Sequence, residues 1–155
     1  MQGDAKVIDE LNARLAEELT AINQYMVHAE MCENWGYGRL AGVVMKRSIV
    51  EMKHAERLIE RILFLDGRPI VSNLNKINIG ALVPDMHRND LAAELDAVKS
   101  YNGSIRVAGE VGDDGSRKLL ESILADEEEH VDWLEAQLGQ IEQMGRENYL
   151  AEQIE

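Results

Sequence analysis

The chain has 155 residues and a formal net charge of −13, from 29 acidic against 16 basic side chains. That length suits one domain around one core, and the acidic field disfavours nucleic acid and anionic membranes as partners while attracting cations, although solubility alone would also account for it. Aromatics are only 5% and the two prolines, Pro69 and Pro84, share one stretch, which favours helix over sheet; the single cysteine, Cys32, excludes an internal disulfide and any CxxC metal knuckle.

Met1-Gln2-Gly3-Asp4 carries no basic patch leading into an apolar run. No apolar run nears the roughly 20 residues that span a bilayer, so a cytoplasmic location without a membrane partner is expected. The first apolar stripe is Leu11, Leu15, Ile22, Tyr25, Ala29 and Cys32, which predicts a long helix broken at Trp35-Gly36-Tyr37-Gly38. A second stripe, Leu40, Val44, Leu58, Ile62 and Leu65, stops at Asp66-Gly67. Residues 68–83 contain Pro69, Gly80 and scattered apolar positions, too long for a tight hairpin, and read as a crossover. Pro84-Asp85 suits a helix start. The third stripe is Leu91, Val98, Tyr101, Ile105 and Ala108; the fourth, after the Gly112–Ser116 turn, is Leu120, Leu124, Leu134, Leu138 and Ile141. The expected fold is all-α: a four-helix bundle in a single domain 1–155, with hairpins 4–66 and 84–143, a crossover at 67–83 and a short fifth helix at 147–154.

Each stripe has a gap that holds a glutamate. Glu18 falls between Leu15 and Ile22, Glu51 between Val44 and Leu58, Glu94 between Leu91 and Val98, and Glu127 between Leu124 and Leu134. A carboxylate facing a core must be protonated, paired or bound to metal. Histidine follows two of them at i+3, as Glu51-Met52-Lys53-His54 and Glu127-Glu128-Glu129-His130, which puts both side chains on one helix face. The interval from Glu18 to Glu51 equals that from Glu94 to Glu127, and the interval from Glu18 to His54 equals that from Glu94 to His130. Two hairpins in approximate two-fold symmetry would therefore bring four glutamates and two histidines together, the ligand set of di-iron and di-manganese carboxylate bundles. Four carboxylates match two divalent ions in charge, and two bridging glutamates would hold them about 3.5–4 Å apart. One ExxH alone is weak, and a metal-free bundle with carboxylates paired to cations such as Arg47 is the plain alternative; one arginine cannot satisfy four acids.

The strings Glu17-Glu18-Leu19-Thr20-Ala21-Ile22-Asn23-Gln24-Tyr25, Glu51-Met52-Lys53-His54-Ala55, Arg61-Ile62-Leu63-Phe64-Leu65-Asp66-Gly67, Asp126-Glu127-Glu128-Glu129-His130-Val131-Asp132 and Glu147-Asn148-Tyr149-Leu150 resemble bacterioferritin, the haem-binding ferritin subfamily, over nearly the whole length. The resemblance implies a cage of two dozen subunits built from two-fold dimers. It implies ferrous iron oxidation by O2 or H2O2, storage of the ferric mineral, and a ferredoxin-type reductant for release. It implies Glu18 and Glu94 as terminal ligands, Glu51 and Glu127 as bridges, and His54 and His130 each on one iron. It also implies haem b shared between two subunits with Met52 as axial ligand. Met52 lies about 100° round the helix from Glu51, on a second face with Met45, Ile49 and Ile59 that suits a partner subunit; interface packing is the plain reading of that methionine. Lys46 and Val50 stand where many family members carry His and Asp ligands on the inner cage surface, and both are poor ferrous ligands.

Tyr25 lies two helical turns from Glu18 on the same stripe; it could give an electron to the metal pair or be a plain core tyrosine. Trp133 reads as packing, His28 and His87 as surface or structural, and Cys32 as a small buried hydrophobe. A non-storage oxidase or peroxidase of rubrerythrin-like type is the rival function, without the CxxC domain such proteins usually add.

Overall fold

The computed structural model describes residues 1–155, which form helices and turns and no strand. Four long helices, α1 (Ala5–Asn34), α2 (Gly38–Phe64), α3 (Val83–Glu110) and α4 (Asp114–Met144), are followed by a short α5 (Arg146–Ala151). α1 packs along α2, α3 along α4, and α1 also meets α3, so two helical hairpins joined by one crossover make a four-helix bundle. No helix is long and apolar enough to cross a membrane.

The helix ends are chemically specified. Asp4 accepts the Lys6 N–H at 2.8 Å to start α1, and the Asp85 carboxylate accepts the Leu82 N–H at 3.2 Å to start α3. At α4 the Asp113 carboxylate takes the Ser116 N–H and hydroxyl, and the Arg61 guanidinium of α2 donates to both residues at 2.9 Å. Burial works against the charge of Asp113, but the Ser116 and Arg61 hydrogen bonds outweigh it and hold the carboxyl below its usual range. At the end of α2 the left-handed residue is Asp66, with φ 59°, and not the neighbouring glycine. Gly67 is needed for space: its N–H reaches back to the Ile62 carbonyl at 2.8 Å, and a Cβ there would press on Ile8 and Ile62.

α5 ends at Ala151, short of the expected Ile154. The chain turns there because the Gln153 carbonyl accepts the N–H groups of Arg39 and Leu40, free donors of the first turn of α2.

The crossover is pinned to one face of α1. The Asn12 side chain takes the Ile70 N–H, Thr20 that of Asn75, Gln24 that of Asn78 and His28 Nε2 that of Gly80. Those α1 positions recur at one or two steps of i+4, so they stack one above another. Asp90 of α3 closes the ladder by accepting from Gln24 Nε2 at 2.8 Å and contacting His28 Nδ1 at 3.0 Å. His28 is thus 1% exposed, not a surface residue. Gly80 is held by close approach, since a Cβ would collide with the backbone at Met86.

The third stripe is rotated from its expected course. Leu91, Val98 and Ile105 are half-buried, while Asp90, Glu94, Tyr101 and Ser104 take the interior of α3. Polar side chains hold these places because partners await them: Gln24 and His28 for Asp90, and Arg14 and Glu10 for Ser104.

The apolar core is split in two. One cluster centres on Leu11, Leu15, Leu58, Ile62, Leu120 and Ile123, and the other on Ala29, Cys32, Leu40, Val44, Met86 and Tyr149. In the second, the Tyr149 hydroxyl donates to Gln137 at 2.6 Å and lies 3.0 Å from His87 Nε2, docking α5. His87 is 2% exposed, so of the surface and structural readings the structural one holds for it, as for His28. Burial pushes it down to about 4, with Asp90 acting upward and His28 downward.

Because the folded value lies below the ordinary one of about 6.5, the unfolded chain takes up the proton first as pH falls. The stability that neutral His87 supports is complete above about pH 6.5 and lost as pH drops toward 4, by up to about 3 kcal/mol. Unfolding midpoints of wild type and His87→Gln, compared from pH 7 to 4, should show wild type falling more steeply; parallel curves would refute this.

Candidate metal centre

Between the two apolar clusters lies a polar layer. Glu18, Glu51, His54, Glu94, Glu127 and His130, each from mid-helix, are all at most 2% exposed. His54 Nδ1 stands 3.1 Å from Glu127, 3.5 Å from Glu18 and 3.8 Å from Glu51. His130 Nδ1 stands 3.1 Å from Glu51, 3.3 Å from Glu94 and 3.9 Å from Glu127. Two four-residue groups result, Glu18–Glu51–His54–Glu127 and Glu51–Glu94–Glu127–His130, with ligand atoms within 4.8 Å of one another in each. Glu51 and Glu127 belong to both groups.

The electrostatics fit cations. Glu18 Oε2, Glu51 Oε1, His54 Nδ1, Glu94 Oε2 and Glu127 Oε1 are buried without a hydrogen-bonding partner, a costly state unless a further group satisfies them. Burial, reinforced by Glu18 and Glu127, raises Glu51 well above the carboxylate range, and burial with Glu127 does the same to Glu94. Burial alone would lower His54, but the carboxylates of Glu127 and Glu18 beside Nδ1, and of Asp126 on Nε2, outweigh it and push the imidazole up to about 10. His130 is lowered, by burial first and then by Arg47 and His54, against Glu94. Without metal, protons thus occupy part of the charge that a cation would otherwise balance.

Two tyrosines close the layer. Tyr25 donates to Glu94 Oε1 and Tyr101 donates to Glu18 Oε1, both at 2.5 Å. Burial, and then the glutamate each one meets, raises both phenols well above 10, so both stay protonated donors. Tyr25 is thus a buried tyrosine with its hydroxyl tied to Glu94. Tyr101 is legible in the sequence only as a stripe residue. The signal that could have found it is spacing: Tyr25 and Tyr101 stand at the same interval that relates Glu18 to Glu94, Glu51 to Glu127 and His54 to His130. Asp126 carries no such mark. It accepts from His54 Nε2 at 2.8 Å, which leaves Nδ1 facing the glutamates.

The remaining candidates lie outside the layer. Arg47 pairs with no glutamate and stacks over Trp133 at 5.7 Å, and Trp133 meets His87 edge to face. Met52 and Ile49 are exposed on the outer face of α2, whereas Met45 and Ile59 lean against the bundle's own core, so the second apolar face is narrower than the sequence suggests. Lys46 is exposed, Val50 half-buried, and Cys32 buried. A cavity of about 210 Å³ between α1, α3 and the crossover runs from the exposed Lys76 and Asp96 to the buried Glu51 and Glu127. Burial pushes Glu17 on its wall up to about 7, against the lowering effect of Arg14.

Cations entering this layer must displace protons from Glu51, Glu94 and His54. Adding a divalent metal to the metal-free protein in weak buffer is expected to acidify the solution, and metal affinity is expected to fall with falling pH. A pH indicator dye reads the first; an unchanged signal on stoichiometric metal addition would refute it.

A model of the ferritin-like domain matches residues 8–144. The chain is 44% identical to a bacterioferritin of Rhodobacter capsulatus over 96% of its own length and 92% of the relative's. It is 44% identical to a bacterioferritin of Streptomyces coelicolor over 100% and 93%, and 43% identical to bacterioferritin BfrA of Mycobacterium tuberculosis over 98% and 96%. With a polar layer of paired Glu and His across a four-helix bundle and likeness of this extent, the chain belongs to the bacterioferritin family of ferritin-like proteins.

Proposed function

We propose that this chain is the subunit of a homo-oligomeric iron-storage cage and a ferroxidase that oxidises Fe(II) to Fe(III) inside each bundle. The observation that carries this reading is the pair of four-residue groups sharing Glu51 and Glu127, with five buried polar atoms left unpartnered. Glu18 and Glu94 would each hold one iron, Glu51 and Glu127 both, and His54 and His130 one each. Bound iron supplies the electrons that reduce dioxygen or hydrogen peroxide. The protein holds the geometry. Tyr101 and Tyr25 fix one oxygen each of Glu18 and Glu94, leaving the other to face metal, and Tyr25 would supply a further electron. The cavity beside α1 and α3 gives Fe(II) a short acidic route inward.

Assembly as two dozen subunits from two-fold dimers, a ferredoxin-type reductant for release, and a cytoplasmic setting belong to the same proposal. So does haem b shared between two subunits through Met52. Support for the last is local: Met52 is 46% exposed and stands one turn from the exposed Ile49 on the outer face of α2. That face offers a thioether within an apolar surface that a symmetric copy would cover.

Replacing His54 or His130 with alanine is expected to slow rapid ferrous oxidation on the order of 100-fold or more, since each removes a neutral nitrogen ligand from one metal, while circular dichroism stays helical. Stopped-flow traces equal to wild type in both variants would overturn the centre's assignment.

Met52→Leu keeps the packing volume and removes the sulfur. It is expected to abolish haem uptake in a spectroscopic titration while ferrous oxidation and the size of the assembly persist. Equal haem stoichiometry and spectra in the two proteins would return Met52 to interface packing.

A further inference from the structure

The metal layer is close to two-fold symmetric in its glutamates, histidines and tyrosines, which pair off across the two hairpins at one constant sequence interval. The surroundings of the two histidines break that symmetry. His54 Nε2 is 2.8 Å from Asp126 Oδ2. The residue that precedes Asp126 by the same interval, and so would serve His130, is Val50, and valine has no acceptor. No hydrogen bond of His130 Nε2 to protein is present; its contacts run through Nδ1 to Glu94, Glu51 and Glu127. The charges nearby differ as well. The His130 side carries the Arg47 guanidinium, stacked on Trp133 close by on α4, and the residue that matches Arg47 at the same interval is the apolar core residue Ile123.

We propose that the two metal positions are inequivalent in this chain: the position of Glu18, Glu51, His54 and Glu127 binds a divalent cation more tightly and fills first, with Asp126 as its positioning residue. This rests on the reading of the six side chains as metal ligands. A carboxylate on the far nitrogen of a ligating histidine fixes the tautomer, holds the ring and makes the ligating nitrogen more basic; losing such a partner costs about 10–100-fold in affinity. The negative Asp126 also attracts a cation to the His54 position, while the positive Arg47 repels one from the other. Asp126 touches no metal in this scheme and acts only through His54. Its side chain is 43% exposed, so substitution there leaves the packed core alone.

The experiment is a Co(II) titration of the metal-free assembled protein, read by calorimetry and by the d–d absorption of bound cobalt. Wild type is expected to show two steps of equal size, separated at least tenfold in affinity. His54→Ala should remove the tighter step and His130→Ala the weaker. Asp126→Leu should weaken the tighter step about 10–100-fold and leave the weaker unchanged, while Val50→Asp should tighten the weaker. Two indistinguishable steps in wild type, or a tighter step unmoved in Asp126→Leu, would overturn the inequivalence and leave the metal centre standing. Failure of wild type to bind Co(II) at all would overturn both.

Discussion

Six ionisable side chains sit in the middle of a helical bundle where apolar packing would be the default, and the repulsion among the four carboxylates is the constraint to which the rest of the molecule answers. Four carboxylates at this depth repel one another and lose hydration that neighbouring protein atoms only partly replace. Two tyrosines quench one oxygen each of Glu18 and Glu94, Asp126 takes the outer nitrogen of His54, and what remains is a set of unpartnered atoms pointed at a common centre. Packing above and below is continuous, with Leu11, Leu15 and Leu58 fully buried on one side and Cys32 and Leu40 almost so on the other. Those two clusters make the polar layer tolerable, because they stabilise the helices that the layer itself would push apart.

The arrangement of the bundle was legible in the sequence because helical period and ligand spacing are local signals. Stripes with a glutamate in the gap, and Glu-x-x-His twice at equal distance, need no knowledge of tertiary contacts. The six side chains meet where that pattern brings them, within two four-residue groups. What escaped was whatever depends on a partner from another helix. His28 and His87 carry no periodic mark of burial, since Asp90 and Gly80 for one and Tyr149 for the other come from distant parts of the chain. Asp126 looks like one more acid on a charged helix until α2 brings His54 beside it. The rotated face of α3 has the same origin: Asp90 and Ser104 lie outside the apolar stripe, and cross-helix partners turn them inward.

The constant interval between matched residues makes the bundle two similar hairpins, yet neither hairpin completes a metal position. Each four-residue group draws on both, and each tyrosine donates to the other hairpin's glutamate. Interlocking of this kind ties metal affinity to the docking of the hairpins. Whatever loosens α1·α2 from α3·α4 also disperses the carboxylates, so cation binding and bundle stability are coupled through linkage.

The ladder along α1 has a consequence for motion. Residues 68–82 have no regular structure, and a segment of that kind ordinarily exchanges its amide hydrogens within the dead time of the measurement. Here the N–H groups of Ile70, Asn75, Asn78 and Gly80 are each engaged by a side chain of α1. Their release requires the helix surface to let go rather than a local fluctuation of the loop. The amides of this strap should therefore divide into slow and fast classes in an order set by the pitch of a helix to which they do not belong.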